Sequence, residues 1–127
     1  MANPMYGQNK ADSHVGSEWV PCSASVTISG ANTGYAVAPF ASKVTGVMYN
    51  LTTATTTDVS VLTVADGAGN SIDTVTVPVA LINTGGVLQV DDSDADATVA
   101  EGEVVSLTSD GGSAAGVAVL YVRFERI

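Results

Sequence analysis

The sequence predicts an all-β fold, a single jelly-roll or β-sandwich domain of about eight antiparallel strands behind an extended N-terminal arm. Three observations lead there. Runs of alternating β-branched and polar residues recur along the chain, and turn signals separate them about every 8–12 residues. No segment carries an apolar stripe at helical spacing.

Residues 1–17, MANPMYGQNKADSHVGS, are polar and aperiodic, and Pro4, Gly7 and Gly16 break them. Such a stretch has no core of its own and reads as an extended arm, leaving residues 18–127 for the sandwich. The arm nevertheless holds Met5, Tyr6 and His14, with Trp19 just beyond it. A solvated tail seldom carries side chains this large. These four are therefore the candidate contact residues, docking the arm on a surface.

In CSASVTISG, Val26 and Ile28 take one face and Thr27 the other. GYAVAPF is short and stopped by Pro39, and its alternation, like that of VMYNL, assigns Tyr35, Phe40 and Tyr49 to the core. KVTGVMYNLTT and DVSVLTVAD are β-branched runs, and DGAGN at 66–70 supplies turn chemistry. SIDTVTVPVAL contains Pro78, which cannot donate to a ladder and so marks an edge strand or a strand end. GGVLQV and EVVSLTS follow. GVAVLYVRFERI sets Val117, Val119, Tyr121 and Arg123 against Ala118, Leu120, Val122 and Phe124. It is apolar on both faces until its tip, which places it centrally, with Arg123 and Arg126 emerging at one rim.

The composition is 46% hydrophobic and 13% charged, against about 25% charged in an average soluble domain. Thr, Ser, Ala and Gly fill the difference, so much of the surface is expected to face other protein chains. Net charge is −9, with Lys10, Lys43, Arg123 and Arg126 as the only strong bases. Binding to phosphates needs bases that displace counterions, so nucleic acid and anionic membranes are not expected partners. Cys22 is the single cysteine; it is expected to pack as a small hydrophobe. No apolar stretch is long enough to cross a membrane as a helix, and nothing in MANPMYGQNK directs export.

DDSDADATVAEGE, residues 91–103, imitates a calcium loop. Counted from Asp92, the carboxylates Asp92, Asp94, Asp96 and Glu103 fall at the ligand spacing. Two features oppose that chemistry. Ala97 stands where the sharp turn wants glycine, and the flanks GVLQV and VVSLTS are strand-like where helices are required. The segment is expected to be a solvated acidic loop between strands with no metal bound, the alternative being an irregular, weak calcium site formed by Asp91 to Asp96.

Catalysis is not expected either. His14 is the only histidine and lies in the arm, and the acids cluster in turns where solvation accounts for them. DGAGN and SDGGSAAG lack the pattern of a phosphate loop. No cofactor is expected.

The C-terminal stretch VAEGEVVSLTSDGGSAAGVAVLYVRFERI carries a resemblance. Gly102, Glu103, Val105, Leu107, Ser109, Gly111 and Gly112, then Val117, Val119, Tyr121 and Arg123, match the closing pattern of small virion proteins of tailed bacteriophages. TGVMYNLTTATTTDVSVLTVADGAGNSI and the polar arm are similar to the same group. The resemblance implies a capsid decoration (cement) protein, which binds the major capsid protein on the virion exterior as a homotrimer. It also implies assembly in the host cytoplasm. Met5, Tyr6, His14 and Trp19 would then be arm contacts to the capsid or to a sister subunit. The alternative is a carbohydrate-binding or adhesion β-sandwich of a phage fibre or head fibre. That role needs exposed aromatics near the acidic loop.

Overall fold

The computed structural model describes residues 16–127. They form β1 (Ser17–Pro21), β2 (Val26–Thr27), β3 (Thr33–Val37), β4 (Ser42–Thr56), β5 (Ser60–Ala65) and β6 (Ser71–Val77). These are followed by β7 (Gly85–Gln89), β8 (Thr98–Val99), β9 (Val104–Ser109) and β10 (Ala115–Arg126). The first sheet has the order β1-β10-β4-β7, with β2 also on β10 and β8 also on β4. The second has the order β3-β9-β5-β6.

The pairings are those of one long hairpin folded over on itself. From its apex outward, β5 pairs with β6, β4 with β7, β3 with β9, and β1 and β2 with β10, all antiparallel. Wrapping this ribbon brings β10 against β4 and β9 against β5, which closes two facing sheets. The result is the expected jelly-roll sandwich.

Local chemistry fixes the apex. Asp66 Oδ1 accepts the N–H groups of Ala68 and Asn70 at 3.0 and 2.8 Å, while Gly69 takes a φ of +90° that a side chain would resist. Alternation then sorts the ribbon into two faces. Leu51, Leu62, Leu107, Leu120 and Phe124 are fully buried between the sheets, each worth about 1.5–3 kcal/mol in apolar burial. Cys22 joins this core, and burial pushes its thiol up to about 11.

At one end of the sandwich the chain crosses between sheets, and buried hydroxyls hold it there. The Ile28 carbonyl accepts from Ser60 Oγ at 2.7 Å and from Ser109 Oγ at 2.8 Å. Ser113 Oγ accepts the Thr56 N–H at 3.1 Å, and its single hydroxyl proton lies between the carbonyls of Thr56 and Ala115. Backbone groups that leave the ladder inside the protein are costly if unpaired, and these serines supply their partners.

Several expectations are met. β10 lies between β1 and β4 with Ala118, Leu120, Val122 and Phe124 buried. β6 ends at Val77, just before Pro78, and is also an edge strand. Tyr49 and Phe40 are core residues.

Others are corrected. Tyr35 is not core: Gly34 and Ala36 face inward, so Tyr35 points out and is 51% exposed. Arg123 does not emerge at a rim. It lies mid-face, over Gly46, because the missing Cβ leaves room for the guanidinium. The acidic segment is not simply a loop, since it holds a 3-10 turn (Ala95–Ala97) and β8.

Leu120→Ala should cost about 2–5 kcal/mol in urea denaturation, the range for emptying a packed leucine site. Thr76→Ala, on an outward face, should stay within about 0.5 kcal/mol of the parent.

Candidate functional site

Met5, Tyr6 and His14 lie outside the described residues. Trp19 is the fourth sequence-predicted contact residue, and the structure places it half-buried on β1, opposite Arg123 of β10. The Arg123 guanidinium sits 5.1 Å from the Trp19 ring centroid, a cation–π arrangement. Two of its nitrogens also donate: Nε to Thr45 Oγ1 at 2.8 Å, and Nη2 to Thr45 O at 2.9 Å and Gln89 Oε1 at 3.1 Å. Among the described residues this is the one predicted site residue that can be joined to a cluster.

That cluster continues across the outer face of the first sheet. Tyr121 pairs with Pro21 on one side and Met48 on the other, and Met48 pairs with Val87. Val119 and Val117 extend the face toward Asn50 and Thr53. At the opposite end, Glu125 lies beside Lys43. Val87 is 50% exposed, while Met48, Val119 and Tyr121 are half-buried by their sheet neighbours.

The outer face of the second sheet mixes hydroxyls with the exposed, cross-strand pair Val37 and Val104. Thr33, Thr108, Thr63 and Thr74 form a row across all four strands, with Thr33 and Thr108 hydroxyls 2.9 Å apart. Exposed Tyr35 stands beside Ser106 in the next row. Hydroxyls that can bond water suit a solvated antiparallel face.

A third surface was missed in the sequence. Beyond Pro78, Val79, Leu81 and Ile82 are exposed, Leu81 by 77%. Their backbone is held against β4. Ala80 N–H donates to Thr55 Oγ1 at 2.7 Å, Thr55 Oγ1 to Pro78 O at 2.8 Å, Thr55 N–H to Ala80 O at 3.0 Å, and Asn83 N–H to Leu51 O at 2.8 Å. The signal was present. A proline ends the ladder, so an apolar run after it lies off the sheet face and needs another reason to be apolar.

The acidic segment uses its carboxylates on backbone amides. Asp91 accepts from Ser93 at 3.0 Å, Asp94 caps the 3-10 turn through Asp96 N–H at 2.9 Å, and Asp73 reaches the Asp91 N–H at 2.8 Å. Glu103, in the position of a bidentate calcium ligand, instead bridges Gly67 and Ala100 amides, each at 3.0 Å. Ala97 is buried in the core. Asp96 is raised above the ordinary carboxylate range, first by desolvation and then by the charges of Asp94 and Asp66. Among the described residues no three His, Cys, Asp or Glu side chains converge on a common point.

No family model and no curated protein sequence matches the chain. Among solved structures, it is similar to the isomalto-dextranase of Arthrobacter globiformis T6 complexed with panose, at 14% identity and a TM-score of 0.48. The match covers 87% of this chain and 23% of that one. It is similar also to the arabinose-bound MgGH51 α-L-arabinofuranosidase, at 12% identity and a TM-score of 0.47, over 98% of this chain and 25% of that one. The chain thus spans about a quarter of each enzyme. Those enzymes' activities are not carried over to it.

Two outcomes test the turns. The Asp110 carboxylate is held below its ordinary 3.8 by N–H groups of Val61 and Gly112, at 3.0 and 2.9 Å. A depressed carboxylate stabilises fully above its unfolded value and loses that contribution as pH falls through the folded one. Asp110→Asn should therefore flatten the loss of melting temperature below about pH 4, read by circular dichroism melts. Glu103→Ala should lower stability by about 1–2 kcal/mol by releasing two amides, whether calcium or a chelator is present.

Proposed function

We propose that this chain is a structural virion protein that binds the exterior of a phage capsid and stabilises it, as a homotrimer and without catalysis. The observation that carries this role is the apolar loop Val79–Ile82, exposed yet fixed by hydrogen bonds to β4. Ordering a mobile loop costs conformational entropy on binding, and a loop held in place beforehand avoids most of that cost. Exposed leucine and isoleucine in such a setting serve contact with another protein.

The mechanism is attachment. The major capsid protein is the partner, the loop supplies an apolar anchor, and the arm residues Met5, Tyr6 and His14 add contacts. Repetition around a three-fold axis multiplies weak contacts into lasting occupancy, since each bound subunit raises the effective concentration of the next. The resemblance of residues 102–123 to small virion proteins supports the same role, with assembly in the host cytoplasm. A second role, glycan binding by a fibre-type module, draws on Tyr35, whose exposed ring stands among the hydroxyls of Thr33, Thr108 and Ser106.

Adding the protein to capsids that lack it should raise their temperature of disruption, followed by light scattering. The double variant Leu81→Asp, Ile82→Asp should keep its own melt and lose capsid affinity by roughly tenfold or more, as for a hot spot. Capsids equally fragile with and without the native protein would sink the cementing role. Retention on a glycan array that Tyr35→Ala abolishes would favour the second role.

A further inference from the structure

We propose that the outer edge of β7 takes a strand from the N-terminal arm of a second copy of this chain. The inference rests on the trimeric role proposed above and assigns the arm contacts of that role to a sister subunit. It fails separately from capsid binding.

A free strand edge shows a row of N–H and C=O groups to any extended chain, and natural sheets blunt such edges with charge, proline or a covering loop. The two-residue β2 and β8 aside, four strands end the sheets: β1 and β7 in the first, β3 and β6 in the second. Three of them are blunted. β1 carries Glu18 and Pro21. β6 runs into Pro78, and its Asp73 carboxylate already takes the Thr74 N–H at 2.8 Å. On β3 the Tyr35 carbonyl accepts the Ser23 N–H at 2.9 Å, so the chain after β1 lies across that edge. β7, Gly85–Gln89, has neither charge nor proline. Among the described residues, no strand but β4 pairs with it.

The ladder fixes which of its groups are free. Leu51 N–H donates to Thr84 O at 2.9 Å and Val90 N–H to Thr45 O at 3.2 Å, at the two ends of the β4–β7 register. Alternation between those bonds turns Gly86 and Leu88 to β4, and it leaves the N–H and C=O of Gly85, Val87 and Gln89 pointing outward. The side chains are open in the same way. Val87 is 50% exposed on the outer face, and Leu88 packs on the core yet stays half-buried. An extended backbone with an apolar side chain on each face fits this edge. Met5 and Tyr6 of the arm supply that pair, since neighbours in a strand point to opposite faces.

Position and charge make the occupant the arm of another copy. Fifteen residues precede Gly16, a reach of up to about 50 Å. They lead into β1, at the edge of the first sheet opposite β7, and depart where β10 ends, with the Gly16 carbonyl on the Arg126 N–H. A path back to the chain's own β7 has to reverse and cross β8 and the 3-10 turn, which lie beside β4 at that end. A neighbour's β7 requires no such reversal, and arm-to-edge contacts repeated head to tail close into a ring. The arm also sets Lys10 against Asp12, while residues 16–127 hold the entire −9. Two sandwiches repel each other. A neutral arm laid on an uncharged strand avoids that repulsion.

The test uses the full chain in light scattering coupled to size exclusion, where the native protein should run as an oligomer. Val87→Pro removes one outward N–H and no bond to β4, a change that an edge strand accepts. It should keep the native melt and run at the mass of one chain. Val87→Thr keeps the N–H and should stay assembled. A second measurement leaves the sandwich unchanged and decides alone if Val87→Pro loses its fold. A photoreactive phenylalanine analogue at position 6 should cross-link to residues 85–89 of another copy, identified by mixing isotope-labelled and unlabelled chains. A monomeric native protein, a folded Val87→Pro variant that remains assembled, or cross-links confined to the same chain or to other surfaces would overturn the inference. Assembly and cross-linking as expected, in a protein that leaves capsids equally fragile, would leave this inference standing and defeat the cementing role. Capsids stabilised by a protein that stays monomeric would do the reverse.

Discussion

Everything in the molecule depends on the pairing of β10 with β4. This is the longest ladder in the structure, running from Ala115 opposite Thr56 to Arg126 opposite Ser42. It joins β1 and β2 on one side to β7 and β8 on the other. Alternation makes one strand serve two purposes. Ala118, Leu120, Val122 and Phe124 floor the core, while Val117, Val119, Tyr121 and Arg123 form the middle of an outer face. A slip of one residue would exchange the two sets. The register shifts near Ala115–Ala118 and between Arg123 and Phe124 are single local adjustments within that ladder, and the rest keeps step.

The same ladder explains how a guanidinium can live in the middle of a largely apolar face. Arg123 is directly opposite Gly46, and a Cβ there would come within 3.1 Å of its Nη2. The shift after Arg123 leaves Thr45 without a β10 partner and turns both its hydroxyl and its carbonyl toward the guanidinium. Position, partner and empty space are thus set by one irregularity in one pairing. Arg126, three residues on, serves differently, lying 4.1 Å above the Phe40 ring at the rim of the core.

Much of the fold was legible because β-sheet periodicity is local. The alternation in GVAVLYVRFERI separates inside from outside without any knowledge of topology, and Pro78 ends a ladder wherever it stands. What was not legible depends on partners distant in sequence. Tyr35 was assigned to the core because GYAVAPF offers two apolar sets, and only pairing with β9 decides which one turns inward. Arg123 was placed at a rim because nothing in its own strand announces a glycine on the neighbouring one. The candidate contacts divide in the same way. Trp19 could be chosen by its size, but its engagement with Arg123 is a cross-strand event. Val79 and Leu81 fall within the stretch SIDTVTVPVAL, because an apolar run looks alike on a sheet and on a pinned loop. The acidic segment lacks, in its sequence, the turn glycine and the flanking helices of a calcium loop. Only the structure gave its carboxylates their backbone partners.

The serine cluster that closes one end of the sandwich also bears on how the chain reaches this state. Ile28, Ser60, Ser109 and Ser113 lie far apart in sequence, and the strand that unites the first sheet occupies residues 115–126. During synthesis β1, β2 and β4 therefore have no common neighbour until that strand has left the ribosome. The β5–β6 hairpin can form early, but the first sheet cannot. Non-local topologies of this kind fold slowly, on the order of milliseconds to seconds. The nascent chain meanwhile holds Met48, Leu51, Leu62 and Leu107 uncovered, and its density of carboxylates and near absence of bases keep such chains apart by mutual repulsion. The acidity that gives the mature surface its character is, on this account, also a protection for the unfinished one.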